Sequence, residues 1–207
     1  MKIICIGDSL TYGYGVSFGK NWVDLLKANT NIRTLNFGTN GDTSGYMLER
    51  ARRNIIPDYG EPGDIAIIMG GANDTLMYGA NPNDVSNIIQ LAKLCQSREI
   101  NVIVGVEPGF RDSEFPFYGS MNVDRLNENY NGFADELIRQ CADKGLPYVD
   151  LREPLAGARL FSDGVHPTEE GHSIIEQEFR KVLTHSPVMV RFSREIPSLL
   201  VSFHRFL

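Results

Sequence analysis

Short apolar runs alternate with longer amphipathic stretches along most of the chain. Lys2–Ile6, Arg33–Phe37, Asp64–Met69, Asn101–Val106 and Pro147–Leu151 read as strands. Most of these runs are near-continuous in apolar character, the pattern of strands covered on both faces in a parallel sheet. Between them, helical spacing predicts helices over Trp22–Asn29, Tyr46–Ile55, Asn83–Ser97, Arg125–Lys144 and Glu169–Leu183. In Asn83–Ser97 the residues Val85, Ile88, Ile89, Ala92 and Cys95 form one apolar stripe. Such alternation predicts a three-layer α/β/α domain on a five-stranded parallel sheet. Ligands are then expected beyond the C-terminal ends of the strands. Polar, glycine-containing segments follow the first three runs directly: Gly7-Asp8-Ser9, Gly38 to Ser44, and Gly70 to Asp74. The chemistry should therefore converge on one rim of the sheet.

Composition changes this picture little. The 207 residues are 42% hydrophobic and 22% charged, which suits one domain able to bury a core without metals or disulfides. The net charge of −6, with no run of Lys or Arg, argues against a nucleic-acid partner, because phosphate binding needs a clustered positive field. Cys5, Cys95 and Cys141 are odd in number and widely spaced, so neither a disulfide framework nor a metal site is expected. The N-terminal apolar run turns polar at Gly7-Asp8, too early for a signal peptide or a transmembrane segment. The expected location is cytoplasmic.

A serine hydroxyl is a weak nucleophile unless a base takes its proton, and the tetrahedral intermediate needs donors aimed at its oxyanion. Gly7-Asp8-Ser9-Leu10 leaves the first strand, where Ser9 projects from the rim. Asp163-Gly164-Val165-His166-Pro167 precedes the last helix, and its three-residue offset lets Asp163 reach back to the His166 imidazole. Taken singly, each residue has a plainer reading: Ser9 as a helix cap, Gly41 as a turn residue, Asn73 as an Asx-turn residue, Asp163 and His166 as a surface pair. Their order and their places at successive strand ends favour the catalytic reading.

Over roughly residues 1–184 the sequence resembles the GDSL esterases, or SGNH hydrolases. The resemblance rests on Gly7-Asp8-Ser9-Leu10, Asn40-Gly41-Asp42-Thr43-Ser44, Gly71-Ala72-Asn73-Asp74, and Asp163 with His166. It implies a flavodoxin-like sheet and a catalytic set of Ser9, Asp163 and His166. It also implies an oxyanion hole made by the backbone N–H groups of Ser9 and Gly41 and the side-chain amide of Asn73. The implied activity is hydrolysis of small carboxylic esters through an acyl-enzyme, on short-chain acyl or acetylated carbohydrate esters, with no cofactor. Lysophospholipase or thioesterase activity, or an inert module binding an acylated ligand, are the competing readings.

Asp8, Tyr12, Phe110 and Phe117 are expected to line the substrate pocket, and Tyr14 is a further candidate on the alcohol side. Glu107–Met121, rich in aromatics, reads either as a wall or lid or as a loop packed down on the domain. Arg111 within it reads as solvated, and His172 as a packing or surface residue. Gly15-Val16-Ser17-Phe18-Gly19 matches a nucleophile-elbow pattern but lacks the preceding strand that an elbow requires. Gly13, Gly15 and Gly19 lack the spacing of a dinucleotide loop. Residues 185–207 form a basic, partly apolar extension. It is expected to pack on the domain or to self-associate, with membrane-surface binding a third reading.

Overall fold

The computed structural model describes residues 1–79, 81–114 and 116–185. Phe115, one of the aromatics of Glu107–Met121, and the extension beyond residue 185 lie outside them. Five parallel strands, β1 (Ile3–Gly7), β2 (Thr34–Gly38), β3 (Ile65–Met69), β4 (Asn101–Val106) and β5 (Tyr148–Asp150), form one sheet in the order β2-β1-β3-β4-β5. This is the expected flavodoxin-like, doubly wound arrangement.

Strand periodicity explains why the runs are apolar throughout. Along β1, Ile4 and Ile6 join a core cluster with Ala66, Ile68, Val102 and Val104. The intervening Ile3 and Cys5 join a second cluster with Ile65, Ile67, Met69 and Ile103. Each face is covered by helices, so both sets of alternating residues are buried. One layer holds α3 (Ser44–Arg50), α6 (Pro82–Gln96) and α7 (Val123–Asp143); the other holds α2 (Trp22–Thr30) and α8 (Glu169–His185).

The caps are local and legible. The Asn21 side chain accepts from Val23 and Asp24 N–H at the start of α2, and Asn81 with Asp84 makes a capping box ahead of α6. After α3 the helix widens into a π-helical turn over Ala51–Ile55 and continues as α4 (Ile56–Tyr59). Pro57, which has no N–H to donate, is accommodated just beyond the widened turn. Two short helices, α1 (Ser9–Tyr12) and α5 (Ala72–Tyr78), directly follow β1 and β3. The strand order reverses at β1, and the crevice beyond β1 and β3 is where such sheets bind ligands.

Candidate active site

Asp8 follows β1 and caps α1, its Oδ1 accepting from Leu10 N–H at 2.9 Å. That cap makes Ser9 the first residue of a helix and turns its hydroxyl to the rim. Although 157 positions apart in sequence, Ser9 Oγ and His166 Nε2 lie 3.1 Å from each other. His166 Nδ1 lies 2.7 Å from Asp163 Oδ2. The other carboxylate oxygen, Oδ1, accepts from the backbone N–H of Val165 (3.0 Å) and of His166 (2.8 Å). Burial alone would raise the Asp163 pKa, but these hydrogen bonds outweigh it and hold the carboxyl below its usual range. An ionised Asp163 can only accept, so Nδ1 carries the imidazole proton and Nε2 is free to take one from Ser9.

Three loops bring the candidate oxyanion donors to the same rim. Gly41 follows β2 with φ +76°, a left-handed conformation that favours glycine. Among the described residues, neither the Ser9 nor the Gly41 N–H has a hydrogen-bond acceptor. Asn73 lies in the first turn of α5, and its amide nitrogen donates to Asp8 Oδ2 (3.1 Å) and to the Asp42 carbonyl (2.9 Å). Two residues not singled out from the sequence tie these loops down. The Arg50 guanidinium donates to Asp42 Oδ2 at 2.6 Å and to the Phe37 carbonyl at 3.0 Å. Asp74 accepts from the Ser44 hydroxyl (2.6 Å) and backbone N–H (2.8 Å). The signal for both was the charge placed inside each glycine-containing motif or on the helix directly after it.

The four expected pocket residues fare differently. Phe117 is half exposed, and its ring meets His166 edge-on at 4.8 Å between centroids. Tyr14 meets the same imidazole from another direction at 4.4 Å, whereas Tyr12 stands exposed at the end of α1. Asp8 is corrected: it is 1% exposed and fully engaged beneath the rim, so it offers no surface to a substrate. Phe110 is also corrected. It is 1% exposed and packs between Tyr118 and Tyr130 in the core. The aromatic loop thus divides its roles, with Phe110 and Tyr118 packed down and Phe117 standing against the histidine.

Arg111 is half-buried rather than solvated, and its guanidinium donates to the carbonyls of Phe110, Arg152, Leu155 and Ala156. His172 is fully buried, with Nδ1 accepting from Trp22 N–H at 3.3 Å. Ser17 lies in a loop and its backbone N–H donates to Glu169. A cavity of about 360 Å³ opens at the opposite, N-terminal end of the strands, between Ile65, Asn101 and Pro147. It is remote from Ser9 and plays no part in this constellation.

A sequence profile of the GDSL-like lipase/acylhydrolase family matches residues 5–174, a span holding Ser9, Gly41, Asn73, Asp163 and His166. The chain belongs to that family. This GDSL hydrolase is by class a carboxylic ester hydrolase. It is 28% identical over 182 residues to an arylesterase of Vibrio mimicus, covering 85% of this chain and 84% of that protein. A lipolytic G-D-S-L family member from Veillonella parvula superposes with a TM-score of 0.77 at 24% identity, over 90% of this chain and 100% of the other. A carbohydrate acetylesterase family member from Sinorhizobium meliloti gives 0.73 at 18%, over 89% and 98%. At those identities the two structural likenesses speak for the shared fold. Among the described residues of this GDSL hydrolase, no helix is long and apolar enough to cross a membrane, and no cluster of metal-ligating side chains occurs.

Proposed function

We propose that this GDSL hydrolase cleaves small carboxylic esters by a two-step acyl transfer in which Ser9 is the nucleophile. The observation that carries the reading is the unbroken line of contacts from Ser9 Oγ through the His166 imidazole to Asp163. His166 Nε2 takes the hydroxyl proton as Ser9 attacks the ester carbonyl, and the same proton then goes to the departing alkoxide. Water, activated by the same nitrogen, releases the acyl group. Asp163 fixes the tautomer and stabilises the imidazolium in both steps. The N–H groups of Ser9 and Gly41 receive the oxyanion, and the Asn73 hydrogen now directed at the Asp42 carbonyl is shared with it.

The leaving group faces Tyr14 and Phe117, the two rings against His166. Flat aromatic walls beside the proton donor favour an aryl or similarly flat alcohol by offset or edge stacking. The likeness to an arylesterase supports this side of the reading. On the acyl side, Met77 Cε lies 4.0 Å from where a Cβ on Gly41 would stand, a neighbour suited to a short acyl chain. The inert-module reading requires a missing catalytic member, and all five positions are filled.

Labelling with a fluorophosphonate, followed by peptide mapping, tests the proposal. One equivalent on Ser9, lost in Ser9→Ala together with hydrolysis of p-nitrophenyl acetate, is expected. Wild-type turnover in Ser9→Ala refutes it.

A further inference from the structure

Behind the rim lies a second pair of acidic groups that the acyl-transfer steps do not use. Glu107 directly follows β4 and is 0% exposed; Asp8 is 1% exposed. Glu107 Oε2 accepts from the backbone N–H of Ala72, at the start of α5, at 2.8 Å. Its Oε1 is buried and has no hydrogen-bond donor among the described residues. The two carboxyl groups face each other within hydrogen-bonding reach. The other charges felt there are mostly of the same sign: Asp42 towards Asp8 and Asp74 towards Glu107, with the His166 ring beyond Asp8. The Arg50 guanidinium, which ties down the loop after β2, is bound to Asp42. Two carboxylates so buried, without a cation between them, cannot both be charged.

The hydrogen-bond pattern decides which one holds the proton. Both Asp8 oxygens already accept, Oδ1 from Leu10 and Oδ2 from Asn73. Glu107 Oε1 accepts nothing, whereas each Asp8 oxygen is held as a carboxylate by an N–H donor and keeps a lone pair free, so the shared proton belongs on Glu107 with Asp8 as its acceptor. We infer that Glu107 is a neutral carboxylic acid whose Oε1–H donates to Asp8, and that this shared proton positions the Asn73 amide for the oxyanion. Burial and the neighbouring Asp8 charge push the Glu107 pKa well above its ordinary value, and burial lifts Asp8 to about 6. Glu107 thus holds α5 twice, through Ala72 N–H and through Asp8 to Asn73. It is a positioning residue: it touches no substrate atom.

The inference rests on Asn73 being an oxyanion donor, and the test separates the two. Ser9→Ala reports on the reading of the site; Glu107→Gln and Glu107→Leu report on the shared proton. Glutamine keeps an acceptor for Ala72 and a donor for Asp8, so Glu107→Gln should retain kcat within about threefold, as an isosteric donor should. Leucine keeps the bulk and loses both bonds. Glu107→Leu should lower kcat about ten- to hundredfold with KM little changed, the cost of a misplaced catalytic group. In the infrared difference spectrum of wild type minus Glu107→Gln at neutral pH, a protonated-carboxyl band should appear. This band reads the proton directly even if Glu107→Leu does not fold. Absence of the band, or a Glu107→Gln as impaired as Glu107→Leu, overturns the inference.

Discussion

Gly164 accepts a hydrogen bond from Arg111 N–H at 2.8 Å, and a Cβ on Gly164 would stand 2.3 Å from the Arg111 carbonyl oxygen. The loop carrying Asp163 and His166 is therefore pressed flat against the aromatic loop after β4. Phe117 N–H donates to the Asp163 carbonyl at 2.9 Å, and the Tyr118 hydroxyl to the Arg111 carbonyl at 2.9 Å. These bonds set the height of the imidazole above Ser9. With φ at +83°, Gly164 is also in a region where L side chains are strained. Gly164→Ala should destabilise the fold by about 1–3 kcal/mol and lower kcat about tenfold or more by displacing His166. Thermal melting and steady-state kinetics on the same preparation check both. An unchanged kcat would mean that the loop contact does not set the imidazole.

Asn73 has no spare hydrogen on its amide nitrogen, since Asp8 Oδ2 and the Asp42 carbonyl take both. Its orientation is consequently fixed before any substrate arrives: a reversed amide would aim its oxygen at two acceptors. Asn73→Ala should cost about 10²–10³ in kcat with a small change in KM, because the lost bond strengthens only as charge develops on the substrate oxygen. Equal losses in kcat/KM and in binding of an unreactive ester analogue would point instead to a ground-state contact.

The sheet and the line Ser9–His166–Asp163 were open to reading because each rests on short-range patterns. β4 (Asn101–Val106) coincides with its expected span, and the other strands start one residue later than the apolar runs suggested. α1 and α5 went unread: four and seven residues are too short for helical periodicity to register. The helix expected over Tyr46–Ile55 runs on to Tyr59, because a π-helical turn over Ala51–Ile55 carries the chain past Pro57. The pocket was harder to read because burial depends on distant partners. Asp8 looks like a polar rim residue until Asn73, 65 positions away, closes over it. Arg111 looks solvated until the carbonyls of Arg152 and Leu155, some 40 positions on, surround it. Glu107 did leave a trace, as a lone acid directly after an apolar strand. Only the fold supplies its neighbour.

Tyr14 and Phe117 lie 6.5 Å apart between centroids, edge to face, with His166 touching both. If an aromatic leaving group stacks there, truncation should cut kcat/KM for phenyl esters more than for ethyl esters of the same acid. About 0.5–1.5 kcal/mol of ring–ring contact is at stake, roughly a three- to tenfold preference. Tyr14→Ala and Phe117→Ala, each assayed on both esters, give that ratio. A uniform loss on both substrates would instead assign the rings to holding the imidazole.

His172 provides the clearest test of a pH effect on folding. Its ring is buried with Nδ1 accepting from Trp22 N–H, which leaves Nε2 to carry the hydrogen without a partner among the described residues. Burial, reinforced by His166, lowers its pKa from 6.5 to about 4. A histidine held neutral in the fold but protonated when unfolded contributes stability that is present above its unfolded pKa and lost as pH falls towards the folded one. Between pH 6.5 and about 4 this one group should remove roughly 3 kcal/mol of stability, because the unfolded chain alone binds the proton across that window. In His172→Asn a side-chain oxygen replaces Nδ1 as acceptor and nothing titrates. Urea unfolding at pH 7 and pH 4.5 should then show a smaller acid loss in the variant than in the wild type. Other groups cancel in that comparison, including Asp8, whose raised pKa acts in the opposite sense over part of the same window. Parallel losses in the two proteins would show that the buried imidazole does not hold back its proton.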